Sequence, residues 1–191
     1  MNRDKARELL ELLDLPGIEL VSLADLPGAQ APEESGATLE ENARLKARAA
    51  LAFSGLPAIA DDTGLEVEAL GGRPGVHAAR YAGPQASYAD NVAKLLGELA
   101  GVPAGRRGAR FRTAIVVGWP DGVEIGAEGT LEGRITAAPR GAGGFGYDPV
   151  FEVEDRGRTL AELTAAEKNA LSHRARAVRS LAPLIRIKLE G

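Results

Sequence analysis

The chain contains no cysteine, which excludes disulfides, a thiol nucleophile and a thiolate metal site. Histidine occurs only at His77 and His173, so a zinc centre built from several imidazoles is excluded as well. No apolar run approaches the roughly 20 residues that a membrane-spanning helix needs. The amino-terminal residues are charged, unlike the basic-then-apolar pattern of a secretory signal. A soluble cytoplasmic protein with no membrane partner is therefore expected. The formal net charge of -4 argues against a surface that coats polyanions, so nucleic acid is not an expected partner. An anionic substrate would need a local cluster of cations or a metal ion.

What the chain does have is enough material for a core, with 45% hydrophobic residues over 191 positions, suited to one domain or two closely joined lobes. Glycine is abundant, 24 residues, but it is scattered between periodic segments, which implies many tight turns and no repeat. Residues 4–13 carry leucines at helical spacing, with Pro16 and Gly17 as the stop. Residues 18–23 read as a strand. Thr38 with Glu41 forms a capping box ahead of an alanine and leucine stripe, predicting a helix that ends near Ser54 and Gly55. Ser87 to Asp90 caps another, running to about Leu99. Alternation through Phe111, Thr113, Ile115 and Val117, then Pro120-Asp121-Gly122, predicts an antiparallel hairpin continuing from Val123 to Leu131. Thr164 with Glu167 is a further capping box, and Ser172 is placed to cap a last helix reaching Leu189.

Four segments carry chemistry. In the first, the apolar run 56–60 ends in Asp61-Asp62-Thr63-Gly64. A short buried strand that holds carboxylates rigidly at its end suits a hard divalent cation and a water; the same residues would also make an ordinary turn. In the second, Gly141-Ala142-Gly143-Gly144-Phe145-Gly146-Tyr147-Asp148-Pro149 spells G-x-G-x-x-G. The dinucleotide reading fails, because extended chain is expected after it where that fingerprint needs a helix. A flexible loop bearing Phe145, Tyr147 and Asp148 suits the stacking of a planar ring beside a carboxylate, or else a plain connection with an aromatic tucked into the core.

The third segment places Lys168, His173 and Arg174 within seven residues. On one unbroken helix Lys168 and His173 would lie about 140° apart. They converge only if the helix breaks at Ser172, which would put His173 and Arg174 in the first turn of a new helix, where backbone N–H groups accept anions. A solvated basic helix face is the plainer alternative. In the fourth, Asn2 and Lys5 flank a helix start, a place suited to phosphate.

In order along the chain stand Asn2-x-x-Lys5, Glu33-Glu34-x-Gly36, Glu41-Asn42-Ala43-x-x-Lys46-Ala47, Ala60-Asp61-Asp62-Thr63-Gly64-Leu65, Pro74-Gly75-x-x-x-Ala79-Arg80-Tyr81, Gly143 to Pro149, and Ser172-His173-Arg174. Together they resemble the inosine triphosphate pyrophosphatase family, over nearly the whole chain. The resemblance implies a homodimeric enzyme that uses Mg2+ to hydrolyse deaminated purine nucleoside triphosphates (ITP, dITP and XTP) to the monophosphate and pyrophosphate. It implies an α/β fold with an elongated, mixed, twisted sheet flanked by helices, as one domain over residues 1–191 with two lobes and a central cleft. The acids after Ile59 and the segment around Phe145 would face that cleft from its two ends.

By the same resemblance, Asp62 is the general base and a metal ligand, and Glu33 or Glu34 supplies another metal carboxylate. Asn2 and Lys5 belong to a triphosphate loop, Thr63 contacts substrate, and Lys46 and Lys168 meet the anionic tail or ribose. Phe145 stacks on the purine, within a substrate-binding segment that continues through Gly146, Tyr147 and Asp148. Asp148, His173 and Arg174 read the edge of the base, with donors facing its 6-oxo group. Family members begin with an apolar strand leading into Ser/Thr-x-Asn-x-x-Lys, whereas here Met1 directly precedes Asn2. The expectation is that codons upstream encode that strand and a Thr or Ser. If they do not, a nucleotide-binding protein with little turnover is the alternative. A two-carboxylate glycosidase is disfavoured, because adjacent strand residues point to opposite faces and cannot flank one bond.

Overall fold

In the computed structural model, residues 2–13, 15 and 17–190 are described. Met1 and Pro16, the latter expected to help stop the first helix, lie outside the described residues.

The first helix, α1 (Arg3–Leu12), starts where the Asn2 side chain accepts hydrogen bonds from the backbone N–H groups of Asp4 and Lys5, both at 3.1 Å. The leucine spacing buries Leu9 and Leu13 and leaves Leu10 outside. The strand expected over residues 18–23 does not form. Ile18 and Val21 are exposed, Ser22 caps a short 3-10 turn at Leu23–Asp25, and the sheet has no strand from this segment. Apolar β-formers make a strand only where a ladder partner exists to pair with.

Helix α2 (Leu39–Ser54) follows its capping box, with Thr38 accepting from Glu41 N–H and the Glu41 carboxylate accepting from Thr38 N–H. Leu39, Ala43 and Ala47 form its buried stripe, and it ends at Gly55 in the left-handed region, φ 69°. Strand β1 (Ala58–Val67) is ten residues long. It therefore runs straight through the Asp61-Asp62-Thr63-Gly64 segment, which is neither a strand end nor a turn. Backbone pairing of Leu65 and Glu66 with β2 (Pro74–Gly75) is antiparallel.

Helix α3 (Tyr88–Glu98) carries the expected Ser87 and Asp90 capping box. The expected hairpin is present as β3 (Gly108–Gly118) and β4 (Glu124–Ile135), closed by hydrogen bonds from Trp119 N–H to Val123 O and from Gly122 N–H to Trp119 O. After the glycine-rich segment comes a 3-10 turn at Asp148–Val150 and then β5 (Phe151–Val153), antiparallel to β4. Pro149 and Val150 thus lie in a turn, where extended chain was expected, and no helix follows the glycines. Helix α4 (Ala165–Leu171) ends at Ser172, which has extended backbone, and α5 (His173–Glu190) starts at once. The helix break needed to bring His173 and Arg174 into a first turn is therefore there.

The five strands form one sheet in the order β2-β1-β3-β4-β5. The chain divides into two compact units. The first comprises Met1–Asp62, Thr113–Gly129 and Arg174–Gly191, around a core of Leu9, Leu13, Ile115, Val117, Trp119 and Leu181. The second comprises Thr63–Arg112 and Thr130–His173, around Leu65, Val67, Leu95, Phe111, Ile135 and Phe151.

Candidate active site

Asp61 and Asp62 are successive residues of β1, so the pleat sends their side chains to opposite faces. They have different partners. Asp62 is buried, 4% exposed, and each of its oxygens is held by one donor from α2. Lys46 Nζ lies 2.7 Å from Oδ1, and Asn42 Nδ2 lies 3.2 Å from Oδ2. The two donors are four residues apart and so share one helical face. Lys46 also reaches Glu34 at 3.0 Å. Desolvation pulls the pKa of Lys46 down, but the attraction and hydrogen bonds of Asp62, then of Glu34, outweigh it and hold the ammonium above its ordinary value.

Of the two glutamates expected to bind metal, Glu34 is half-buried and joined to Asp62 through Lys46, whereas Glu33 is exposed. Among the described residues, no three His, Cys, Asp or Glu side chains are gathered closely enough to hold a metal ion. Glu34 and Asp62 are still two hard oxygen donors sharing one cation, the Lys46 ammonium. Mg2+ typically takes one or two carboxylates and fills its remaining positions with water and substrate phosphate. The donor set fits a hard divalent cation that takes its remaining positions from water and a second ligand, and does not fit a cage made only of protein.

Asp61 belongs to a second arrangement in the same unit. Arg174, 1% exposed, donates from Nε and Nη2 to Asp61 Oδ2, both at 3.1 Å, and also pairs with Glu8 from α1. Burial raises the proton affinity of Asp61, but Arg174 first, then Lys5 and Lys46, outweigh it and hold the carboxyl well below its usual range. Arg174, expected at the edge of the purine, is a buried guanidinium engaged by two carboxylates.

Lys5 on α1 is half-buried in these surroundings. Desolvation lowers its pKa; Asp61 works against that, Lys46 and Arg174 add to it by repulsion, and Asp62 opposes. A Lys whose pKa is lower folded than unfolded makes stability rise with pH, because the unfolded chain holds more protons between the two values. Replacing the ammonium with an isosteric apolar chain removes that burden. Lys5→Met is accordingly expected to raise the urea midpoint at pH 7. A lower midpoint would show that attraction to Asp61 and Asp62 outweighs the burial of the charge. The oxygen of Asn2 caps the first turn of α1, and this is how the helix start presents Lys5.

The second unit holds the other cluster. Lys168 is buried and donates to Asp148 Oδ2 at 2.6 Å, and the same oxygen accepts Phe145 N–H at 2.8 Å. The Lys168 ammonium also sits 4.7 Å from the centre of the Phe145 ring, and the exposed Tyr88 ring is 5.9 Å away, tilted by 37°. Phe145 itself is half-buried. Two of the glycines before it, Gly141 and Gly144, are demanded by close packing. At Gly144, φ is 69° and a Cβ would lie 2.1 Å from Asp148 Oδ2; at Gly141 a Cβ would lie 2.5 Å from the Ala161 carbonyl. The segment is anchored as well, through Gly143 N–H to Ala161 O at 3.0 Å. A flexible loop was expected here, yet Gly141 and Gly144 allow a tight approach to other groups.

Tyr147 is placed in the core, 6% exposed, with its hydroxyl donating to Ala78 O at 2.9 Å. Burial raises its pKa strongly. It serves as an anchor for Gly146, a left-handed residue at φ 62°, and for Asp148. His173, 4% exposed, stacks on Phe111 with centroids 4.6 Å apart and planes 17° from parallel. Thr63, the residue after Asp62 on β1, is half-buried.

Three participants carried no assigned role in the sequence reading: Asn42, Glu8 and Tyr88. The first two had a signal, since Asn42 precedes Lys46 by four residues and Glu8 follows Lys5 by three, spacings that share a helical face. Tyr88 had none, because its approach to Phe145 depends on long-range packing.

A model of the Ham1 family matches residues 1–184. The chain belongs to the Ham1 family. This assignment bears out the resemblance carried by the ordered motifs. A protein of Methylococcus capsulatus called dITP/XTP pyrophosphatase is 54% identical over 193 residues, covering 100% of this chain and 95% of the relative. One of the same name from Geobacillus kaustophilus is 53% identical over 180 residues, covering 94% of this chain and 88% of its own length. Among solved structures, a HAM1 protein from Coxiella burnetii superposes with a TM-score of 0.87 at 39% identity, over 97% of this chain and 95% of that one. A nucleoside-triphosphatase, dITP/XTP pyrophosphatase, from Mycobacterium abscessus gives 0.75 at 44% identity, over 96% and 95%. The α/β fold expected for this Ham1-family chain is thus the fold of solved Ham1 proteins.

Proposed function

We propose that the protein hydrolyses deaminated purine nucleoside triphosphates, ITP, dITP and XTP, to the nucleoside monophosphate and pyrophosphate, cleansing the nucleotide pool. The observation that carries this is the identity of more than half, over nearly full length, to proteins called dITP/XTP pyrophosphatases. The local chemistry supports it. Attack of water on the α-phosphorus needs a base held in place and positive charge along the phosphates, and little else from the protein.

In this reading Asp62 accepts the proton of the attacking water, its two oxygens in contact with Lys46 and Asn42. Lys46, kept protonated by its two carboxylates, and Lys5, presented by the Asn2 cap, meet the phosphate oxygens. Glu34 and Asp62 would hold Mg2+, which supplies neutralisation of charge on the phosphate oxygens when bound. Phe145 stacks on the purine, while Asp148, Lys168 and His173 present an acceptor and donors to its edge and ribose. A base with a 6-oxo group offers an acceptor to those donors. An adenine offers an amino donor and leaves buried groups unpaired, which lets a site exclude it by orders of magnitude. A homodimer and a cytoplasmic location complete the proposal.

Pyrophosphate release is the direct test, with ITP, dITP, XTP, ATP and GTP run in parallel in the presence of Mg2+. The kcat/KM for ITP and XTP is expected to exceed that for ATP by at least about 100-fold. Addition of EDTA should abolish turnover, and excess Mg2+ should restore it. Tight binding of ITP with no pyrophosphate released would convert the enzyme into a nucleotide-binding protein.

A further inference from the structure

We infer that Asn42 is the residue that aims the Asp62 carboxylate, and that Gly36 is glycine in order to keep Asn42 in that orientation. The inference rests on the reading of Asp62 as the general base.

Asn42 is fully buried, 0% exposed, in the second turn of α2. An amide so placed must satisfy both of its ends. Its Oδ1 accepts Gly36 N–H at 2.8 Å. That bond decides which way the amide points, since an N–H can meet only the oxygen end. The NH2 end is thereby turned toward Asp62, where Nδ2 lies 3.2 Å from Oδ2.

The other oxygen of Asp62 is taken by Lys46, and the two donors differ in what they can fix. An ammonium on a four-carbon stem is a point charge that follows the carboxylate as it rotates. A buried amide on a short side chain, clamped from behind by a backbone N–H, does not follow. Rotation about the Cβ–Cγ bond of Asp62 is therefore governed by Asn42, while Lys46 supplies the charge.

Gly36 closes the arrangement. A Cβ at this position would lie 2.7 Å from Asn42 Oδ1, 2.8 Å from Glu41 Cβ and 3.0 Å from Asn42 N. Its φ lies outside the left-handed region, so backbone freedom does not explain the glycine. The close approach does. Any side chain at 36 pushes away the oxygen that sets the amide, or moves the 33–36 segment that carries Glu34.

Two single variants test this, each with kcat and KM for ITP measured separately and with thermal unfolding as the check on folding. Asn42→Ala frees the carboxylate and is expected to lower kcat by roughly 10- to 100-fold, the usual range for residues that orient a reacting group, with KM for ITP held within about threefold. Gly36→Ala leaves Asn42 in the chain but displaces it, and is expected to lower kcat in the same way. A purely structural role would lower the unfolding temperature of both variants and leave kcat per folded molecule unchanged. If Asn42→Ala and Gly36→Ala both retain kcat within about twofold, while Asp62→Asn is inactive, the aiming role is overturned and the base stands. An active Asp62→Asn would overturn the base itself and this inference with it.

Discussion

Asp62→Asn is expected to lower kcat for ITP by about 1000-fold, within the range that general bases contribute, while the affinity for the nucleotide stays within about tenfold. The substitution is nearly isosteric, so the volume of the buried side chain is kept. Asn42 Nδ2 and Lys46 Nζ meet different oxygens of Asp62, so the new amide keeps one of these bonds through its oxygen and gives up the other. What is lost is the ability to accept a proton, together with one of the two carboxylates facing Lys46. The measurement is single-turnover pyrophosphate release alongside equilibrium binding of ITP. An equal loss in both would move Asp62 from abstracting the proton to holding the metal ion.

Asp61→Ala is expected to damage stability much more than chemistry. Arg174 is 1% exposed and has Asp61 and Glu8 as carboxylate partners. Removing one partner of a buried ion pair leaves charge without compensation, which costs about 3–5 kcal/mol. With Glu8 still present the lower end applies, a fall of roughly 10 °C in Tm for a chain of this length. Asp61→Asn keeps an acceptor for the guanidinium and should lose less.

The same pair has a signature in pH. The pKa of Asp61 is lower in the folded protein than its ordinary 3.8. Its contribution is therefore complete at pH above about 5, and it declines as the pH falls below the ordinary value toward the folded one. Chemical denaturation of wild type and Asp61→Asn from pH 7 to pH 3 checks this. The gap between them should hold steady to about pH 5 and then narrow. A gap that narrows between pH 7 and pH 5 would mean that Asp61 is not held as a carboxylate by Arg174.

Much of this architecture was legible in the chain because the signals were local. Thr38 with Glu41, Ser87 with Asp90 and Thr164 with Glu167 announced three helix starts, and each capping box is present. Pro120-Asp121-Gly122 announced the hairpin. The break at Ser172 followed from asking how Lys168 and His173 could share a side. Where a reading failed, a partner distant in sequence had decided the outcome. Residues 18–23 have the composition of a strand but no place in the sheet, and the strand bearing Asp61 and Asp62 runs on for five residues past them.

The site was legible in the same uneven way. Asp62, Lys46, Phe145, Asp148 and Lys168 were all singled out, and the structure brings them together as two local clusters. Arg174 was assigned to the edge of the base by resemblance, and what the sequence did not show is its pairing with Asp61, 113 residues away. Tyr147 was counted among substrate-binding residues, and the hydrogen bond of its hydroxyl to the Ala78 carbonyl, 69 residues away, had no sequence signal. Neighbours in the first turn of one helix need not share a partner.

That the two acids sit within a ten-residue strand, and not at the tip of a loop, bears on timing. A carboxylate carried by a mobile segment must be delivered afresh in every cycle, and the delivery can limit turnover. Here the peptide groups on either side of Asp62 are part of a pleated ladder, so amide hydrogen exchange at this position should be as slow as in the hydrophobic interior. On the proposed reading of Asp62 as the base, the proton acceptor is in place before any nucleotide arrives. Whatever sets the pace of the cycle, whether entry of the nucleotide or departure of the products, it is not the arrival of this group.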